Sequence, residues 1–286
     1  MATAPRTALV AAGPVSVSWV AKLPGLRSHL QFVKAGSLRV ASRIANSIRA
    51  GEAVEHYEDL RLADLVLVYV PGGDLGATVD EMSKAAMRWK DRAIVLCGKT
   101  LDPHQLLPLK QAGAAVGSLD PMEGFDEKRF LFEGDRNALL RLRRLVEMEG
   151  TAKVVELERQ GRAAYEAGLT FAESMTFQMV AAAVESFRTA GLRDKQAEIA
   201  VEAAVLRALR SYLTAGRRGW SGPLANGDHE ELSRQYKALA STRPDIAELF
   251  LKFAIEYLAE RGPELGKPTL LAKAASAGPG PGTPSD

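Results

Sequence analysis

The chain has 286 residues, of which 47% are apolar and 25% are charged, so it is long enough for two domains with real cores. A formal net charge of only +2, from scattered basic residues, argues against nucleic acid or an acidic membrane surface as a partner. The single cysteine, Cys97, excludes an internal disulfide, and no segment has the pattern of a signal peptide or a membrane span, so we expect a soluble cytoplasmic protein.

The first half of the chain alternates between strand and helix patterns. Strands are predicted at residues 7–12, 30–35, 54–58, 65–70, 93–97 and 114–119, and helices at 15–23, 37–48, 74–89 and 103–112. The fourth strand is apolar without alternation and rich in β-branched residues, which predicts a strand buried on both faces. Short connections between such elements predict right-handed crossovers and a doubly wound (Rossmann) parallel sheet, hence an α/β fold.

In the second half of the chain, the spacing of the hydrophobic residues changes to that of helices. Edge strands are predicted at 130–132 and 153–157 with a helix at 136–147 between them, and from residue 159 the pattern is helical, with helices at 159–190, 194–215, 228–240 and 244–260. The last residues are rich in Gly, Pro, Ala and Ser. We therefore predict a Rossmann-like domain over 1–157, an all-α helical domain over 158–261 and a disordered tail over 262–286.

The turn after the first strand is the first candidate for a nucleotide site. A dinucleotide-binding turn needs small residues at three places, and Ala11, Gly13 and Ser16 occupy them here, so the turn is degraded rather than destroyed. Carboxyl ends of central strands border the ligand crevice, which adds the end of the fourth strand. The predicted cofactor-binding residues are Ala11, Gly13, Pro14, Val15, Ser16, Ser37, Arg39, Val70 and Pro71. A Rossmann-like domain that has lost its cofactor is the alternative.

The end of the second strand normally selects the cofactor. An acidic residue there binds the ribose hydroxyls of NAD, whereas this chain has Lys34, Gly36, Ser37 and Arg39. A phosphorylated ribose suits that set better, which predicts NADP, with NAD as the second choice. The alternative is that these residues form a solvated cationic loop with no role in cofactor binding.

Several segments resemble a bacterial family of Rossmann-like candidate oxidoreductases that carry a helical carboxyl-terminal domain of unknown function. The family is related to pyrroline-5-carboxylate reductase and to enzymes of the 6-phosphogluconate dehydrogenase type. The resemblance extends over residues 7–257 and is carried by residues 63–71, 117–121, 133–135, 165–167 and 221–228. It implies NAD(P)-dependent oxidoreduction of a small molecule and a homodimer in which the helical domains of two subunits pack together.

The chain departs from that family at polar positions of the expected cleft. Family members usually have glycine at the places of Ala11 and Ser16, histidine at those of Asp120 and Glu166, and asparagine at that of Ser174. These joint changes favour either a different substrate or a fold whose chemistry has been lost.

Hydride transfer at a carbon–oxygen or carbon–nitrogen bond needs a nearby proton donor or acceptor. Lys99 lies just past the fifth strand and Asp120 just past the sixth, so both are expected to face the crevice, although a plain surface ion pair is the alternative. The predicted catalytic residues are Lys99, Asp120, Glu166 and Ser174. The four histidines lack metal-ligand spacing, so no metal site is predicted.

These patterns together predict a cytoplasmic, homodimeric oxidoreductase that prefers NADP and acts on an unidentified small molecule. The rival hypothesis is a cofactor-free or nucleotide-sensing, non-catalytic interaction protein on a degenerate Rossmann scaffold.

Overall fold

The computed structural model of the chain describes residues 4–12, 18–98, 102–122, 128–158, 161–193 and 195–260. The strands are β1 (Thr7–Ala11), β2 (Leu30–Lys34), β3 (Glu52–Val54), β4 (Leu65–Tyr69), β5 (Ala93–Cys97), β6 (Ala115–Met122), β7 (Lys128–Gly134) and β8 (Ala152–Glu156). The α-helices are α1 (Leu26–His29), α2 (Leu38–Ile48), α3 (Gly72–Lys84), α4 (Leu107–Gln111), α5 (Arg136–Val146), α6 (Arg162–Leu169), α7 (Thr176–Thr189), α8 (Gln196–Ala215), α9 (Pro223–Asn226), α10 (His229–Ala240) and α11 (Pro244–Glu260).

The chain divides into two compact units, Met1–Glu166 and Ala167–Asp286. The described residues of the first unit form an eight-stranded sheet in the order β3-β2-β1-β4-β5-β6-β7-β8. Strands β1 to β6 run parallel to their neighbours, β7 is antiparallel to β6, and β8 is parallel to β7. The predicted doubly wound sheet followed by a helical region is therefore confirmed.

The central strand β4 is buried on both faces, as its sequence predicts. Leu65, Val66, Leu67 and Val68 are all 0% exposed. Because side chains alternate along a strand, the two leucines join a core cluster with α2 and α5, and the two valines join a second cluster with α3 and α4. Helices thus cover both sides of the parallel part of the sheet.

Several predicted boundaries in the first unit were wrong. Of the helix predicted at 15–23, the described part is only a 3₁₀ turn at Val20–Lys22. The third strand lies at 52–54 instead of 54–58, because a 3₁₀ helix begins at Tyr57 and its Asp59 side chain accepts a bond from the backbone N–H of His56 at 3.1 Å. Helix α3 ends at Lys84 because Trp89 folds back into the core and donates a hydrogen bond to the carbonyl of Met82.

The second unit consists of helices over its described residues, as expected. The long helix predicted at 159–190 is interrupted by a π-helical segment, Thr170–Met175. The hydroxyl of Thr176, the next residue, donates to the carbonyl of Phe171 within that segment at 2.9 Å. A small cluster of Leu232, Leu251 and Ala254 forms the core between α10 and α11. Within the described chain, every helix is either too short or too polar to cross a lipid bilayer.

Candidate functional site

The parallel strands β1 to β6 all end at one edge of the sheet, which we call the carboxyl edge. The topological switch point of the sheet, where the strand order reverses, lies at this edge between β1 and β4. The chain builds β2 and β3 on one side of β1, then crosses to place β4, β5 and β6 on the other. Ala11 pairs with Tyr69 at this edge, and the N–H of Ala12 donates to the carbonyl of Tyr69 at 3.1 Å. Ligands of open α/β sheets bind in the crevice at such a point.

The predicted nucleotide residues occupy different environments at this edge. Ala11 and Val70 are buried, and Pro71 is exposed where it precedes the first turn of α3. Gly13, Pro14, Val15 and Ser16 lie outside the described residues, and so does Lys99. Added Cβ atoms at Gly72 and Gly73 would meet no atom within 4 Å, so the surface beside Pro71 is open.

The end of β2 presents three polar side chains. The Ser37 hydroxyl accepts a hydrogen bond from the N–H of Val40 at 3.3 Å and caps α2, which is the role that its sequence position predicts. Arg39 is exposed in the first turn of the same helix. Lys34 is instead buried, with its Nζ donating to the carbonyl of Ala35 at 2.6 Å.

Tyr57 packs against that buried lysine. The Lys34 ammonium lies 4.7 Å from the centroid of the Tyr57 ring, which is a cation–π distance. The Tyr57 hydroxyl donates to Glu81 on α3 at 3.2 Å. Burial first, and then the charge of Glu81, raise the pKa of the Tyr57 phenol, so the ring stays neutral at physiological pH.

The most highly connected polar cluster gathers around Arg162, at the first residue of α6. Its Nε donates to Glu133 Oε2 at 3.0 Å, its Nη2 donates to Ser118 Oγ at 2.8 Å, and its Nη1 donates to Asp120 Oδ2. Ser118 and Asp120 alternate along β6, and Glu133 pairs with Ser118 from β7, so the three side chains share one face of the sheet. The guanidinium, with only 12% of its side chain exposed, joins them there.

The carboxylates of this cluster act on the pKa values of Arg162 and of the nearby Cys97 thiol. Burial acts to lower the pKa of the Arg162 guanidinium, but hydrogen bonds and attraction from Asp120 and Glu133 outweigh it, so the pKa is raised. The same field reaches the end of β5, where burial first and then the charge of Asp120 raise the pKa of the Cys97 thiol. Cys97 is therefore a neutral, buried thiol rather than a nucleophile.

Two glycines allow β6 and β7 to approach each other beside this cluster. A Cβ on Gly117 would lie 2.4 Å from the Phe132 ring, and one on Gly134 would lie 2.4 Å from the Cα of Gly117. Gly134 also has φ of 148°, which side chains rarely adopt. The segments 117–121 and 133–135, which carry the family resemblance, thus lie where β6 and β7 approach each other, and they include Ser118, Asp120 and Glu133.

Two further predicted catalytic residues, Glu166 and Ser174, lie on the helices that follow Arg162. Glu166 is half-buried, one helical turn after Arg162 on α6 and therefore on the same helix face. Ser174 is exposed in the π-helical segment of the second unit. Among the described residues, no three histidine, cysteine or acidic side chains are grouped as metal ligands.

Two cavities in the described chain are lined by residues outside the predicted nucleotide-binding set. One, of about 800 Å³, runs along α4 and the strands β6 to β8, where Lys110 and Asp135 form an ion pair at 2.7 Å. The other, of about 220 Å³, is an apolar groove within the second unit, between α7 and α11.

Comparisons with known proteins agree with this architecture. Residues 129–256 match the model of a domain of unknown function, DUF2520. No curated protein matches the chain. Among solved structures, a candidate NADP oxidoreductase from Bacteroides fragilis superposes with a TM-score of 0.68 at 15% identity, over 88% of this chain and 96% of that one.

Two forms of an imine reductase from Myxococcus stipitatus have the same fold. A variant in complex with NAD⁺ has a TM-score of 0.64 at 17% identity, over 95% of this chain and 99% of its own. The enzyme in complex with NADP⁺ has a TM-score of 0.58 at 15% identity, over 94% of this chain and 99% of its own. At such identities the likeness establishes the fold. It confirms the resemblance to Rossmann-type proteins with a helical carboxyl-terminal part, and residues 129–256 are similar to the DUF2520 domain.

Proposed function

We propose that this protein is a nicotinamide-dinucleotide-dependent oxidoreductase that prefers NADP and acts on a small molecule with a carbon–oxygen or carbon–nitrogen double bond. The observation that carries the proposal is the parallel sheet with its switch point between β1 and β4, next to a β2 end that has cations and no acid. Proteins with the same fold bind NAD⁺ and NADP⁺, which supports the cofactor class.

The residues at the carboxyl edge fit a dinucleotide. Ala11 is small and buried where the pyrophosphate would pass, and the open surface at Gly72 and Gly73 leaves room beside it. Ser37 and Arg39 stand at the amino end of α2, where backbone N–H groups and the helix dipole favour an anion. Trp19, which could have covered this edge, packs against Phe130 with ring centroids 5.8 Å apart. These features favour a nucleotide-binding protein over a scaffold that has lost its cofactor.

The chemistry follows from the residues near the end of β6. A bound nicotinamide supplies or accepts the hydride. Asp120 accepts a hydrogen bond from Arg162, which suits it to orient a substrate or accept a proton rather than to donate one. We assign proton transfer to the set Lys99, Asp120, Glu166 and Ser174, with Lys99 as the donor. Arg162 positions Asp120 and belongs to the site, although the sequence analysis did not identify it.

We also propose that the protein works as a homodimer through its helical unit. Of the twenty large apolar side chains that are exposed among the described residues, fourteen lie in the second unit. Phe177 and Leu213 are the most exposed of these, at 70% and 74%. Monomeric proteins rarely expose so much apolar surface without a partner. Light scattering should give a dimer mass, and a stable monomer would contradict this proposal.

The cofactor proposal is tested by titrating the purified protein with NADPH and NADH while nucleotide fluorescence is recorded. Saturable binding below about 1 mM is expected, because enzymes hold their ligands in the micromolar to millimolar range. Arg39→Ala should weaken NADPH more than NADH. Arg43→Ala, one turn further along α2 and also exposed, is the matched control and should bind both as the wild type does. Failure of the wild type to bind either nucleotide would support the cofactor-free rival.

Turnover is tested separately, with NADPH and a panel of ketones and aldehydes, each with and without an added amine. Oxidation of NADPH that requires both the carbonyl compound and the amine would assign a carbon–nitrogen bond, and oxidation with the carbonyl compound alone would assign a carbon–oxygen bond. Asp120→Asn should lower the rate at unchanged nucleotide affinity. No oxidation with any member, despite nucleotide binding, would reduce the proposal to a nucleotide-sensing protein.

A further inference from the structure

Positive charge is concentrated at the amino edge of the sheet, where β1, β4 and β5 begin, at the opposite end of these strands from the proposed nucleotide site. We call this region the arginine patch. It consists of the basic residues of four neighbouring segments: Arg6, Arg61, Arg88, Lys90, Arg92 and Arg141. The same segments contain two carboxylates, Asp64 and Asp91, so six cations less two carboxylates leave a net charge of +4, whereas the whole chain has only +2.

Arg92, the residue before β5, lies at the centre of the patch. Its guanidinium donates to the backbone carbonyls of Arg61 and Arg88 and reaches that of Lys90 at 3.5 Å. Its Nε is buried and, over the described residues, has no hydrogen-bond partner. Carbonyl oxygens orient a guanidinium but carry no net charge. The contacts therefore bring four basic residues together without neutralising any of them.

Asp64, the residue before β4, offsets only part of this charge. Its carboxylate accepts from Nε and Nη2 of Arg6, each at 3.1 Å, while Arg141 donates only to its backbone carbonyl, at 3.0 Å. Burial, first, lowers the pKa of the Arg92 guanidinium, while attraction by Asp64 raises it. Repulsion by Arg141, Arg6 and Arg88 lowers it further, so this pKa stays below its ordinary value.

Three members of the patch can reach a ligand. Arg61, Arg88 and Lys90 are exposed, and within the described part of the chain their side chains form no hydrogen bond or ion pair. They stand beside a guanidinium that is held in place and repelled by its neighbours. An anion that binds here therefore gains from the free cations and also relieves the repulsion around Arg92.

The charge of the patch favours phosphate over carboxylate ligands. A phosphate monoester carries about −1.5 to −2 charges at pH 7 on one group with three acceptor oxygens, whereas a carboxylate carries a single charge. Linked phosphates thus bring several negative charges into the space of a few basic side chains. The guanidiniums of Arg6, Arg92 and Arg141 are fixed by their hydrogen bonds, which suits a compact ligand better than the fluid surface of a bilayer.

We infer that the arginine patch binds a soluble ligand with linked phosphates, such as a di- or triphosphate group. The site is separate from the proposed nucleotide site, because β1, β4 and β5 have five residues each and so place about 17 Å between the two edges. The inference does not depend on the proposed oxidoreductase activity. Because the ligand relieves repulsion in the folded state, it should also stabilise the first unit.

The test measures the binding of inorganic tripolyphosphate, orthophosphate and citrate to the full-length protein by calorimetry. Tripolyphosphate should bind most tightly, because it has the highest charge, and citrate tests whether carboxylates suffice. Binding should be lost when the salt concentration is raised from about 0.1 M to about 1 M, since the screening length falls from about 10 Å to about 3 Å. Tripolyphosphate should also raise the midpoint of thermal unfolding.

A double variant locates the site. Arg61→Gln combined with Lys90→Gln removes two exposed charges and no side-chain bond of the described chain, so it should fold, and it should weaken tripolyphosphate about fivefold. Arg43→Gln combined with Lys128→Gln is the matched control. It also removes one exposed arginine and one exposed lysine, from α2 and from the start of β7, and should change binding by less than about twofold.

Each outcome supports or overturns the inference. A wild-type protein that does not bind tripolyphosphate, or that binds it equally well in the patch variant, would overturn the site, and so would equal losses in the variant and the control. Citrate binding as tight as that of tripolyphosphate would overturn the assignment to phosphates. Co-sedimentation with vesicles of phosphatidylcholine and phosphatidylglycerol tests a lipid source, and vesicle binding that the patch variant abolishes, without binding of tripolyphosphate, would overturn the soluble ligand.

Discussion

Replacing Arg162 by methionine is the sharpest test of the cluster at the end of β6. The substitution keeps the length of the side chain but removes the charge that Asp120 and Glu133 share. Those two side chains are only 11% and 14% exposed, so water can solvate them only in part. Removing one member of a buried ion pair costs 3–5 kcal/mol because it leaves the partner charge uncompensated.

The residual exposure of both carboxylates places the expected loss at the lower end of that range, at about 3 kcal/mol. For a folding unit of 150–250 residues, each kcal/mol shifts the midpoint of thermal unfolding by about 2–4 °C, so a decrease of about 6–12 °C is expected. Urea unfolding followed by tryptophan fluorescence gives the same quantity at constant temperature. Trp89, buried in the first unit at 2% exposure, reports on the part of the chain that contains the cluster.

Arg144→Met is the matched control, since Arg144 is an exposed arginine on α5. Such surface substitutions usually change stability by no more than about 0.5 kcal/mol. The double variant with Asp120→Asn should lose less than the sum of the two single losses, by about 0.5–3 kcal/mol, because the two residues are in contact. If Arg162→Met lowers stability no more than the control does, the ion pairs of the cluster stabilise the fold no more than exposed ion pairs do, and the reasoning is wrong.

Three further predictions concern two glycines and one ion pair of the first unit. Gly117→Ala should destabilise the fold by about 1–3 kcal/mol because its Cβ would overlap the Phe132 ring. Gly76→Ala, in open space on α3, should stabilise the fold by up to about 1 kcal/mol, and calorimetric melting measures both. A hydrogen bond from Arg6 lowers the pKa of Asp64, so the stabilisation by this pair is full above the ordinary aspartate pKa and is lost as the pH falls through the lowered value. Asp64→Asn should therefore cost up to about 1 kcal/mol at pH 7 for this half-exposed pair. The cost should disappear in urea titrations as the pH falls below the lowered pKa of Asp64.

The sequence predicted the sheet well because its strands are defined locally. The predicted bounds of β5 agree with the structure at both ends, and those of β4 differ from it by one residue. Both runs, Leu65 to Val70 and Ala93 to Cys97, are apolar, contain β-branched residues and are bounded by turn residues. The failures occurred where a distant contact decides the local structure. Helix α3 ends early because Trp89 returns to bond Met82, and no pattern within 74–89 indicates that return.

Part of the placement of the candidate residues could be predicted, while their roles stay predictions. Ser37 caps α2 as expected, whereas Asp120, expected just past the sixth strand, lies within β6, which extends to Met122. Arg162 was missed because its partners Glu133, Asp120 and Ser118 lie 29, 42 and 44 residues before it, and only the fold brings them together. Lys34 was noticed for its charge, but its burial under Tyr57 depends on a 3₁₀ helix where a strand was expected.

The contact with Arg162 explains one departure from the related family, the aspartate at position 120. A histidine at the place of Asp120 would set a neutral or cationic ring beside a guanidinium, and like charges at hydrogen-bonding distance repel. An aspartate there accepts that guanidinium directly. Because the side chains at 120 and 162 touch, a change at one alters what the other requires, so the unusual residue at 120 does not by itself indicate a lost function. The pair fixes the first residue of α6 to the sheet, and Glu166 follows one turn later on the same helix face. A histidine restored at 120 while Arg162 remains should therefore lower stability, and the same change combined with Arg162→Met should recover part of it, which thermal melting of the single and double variants would decide.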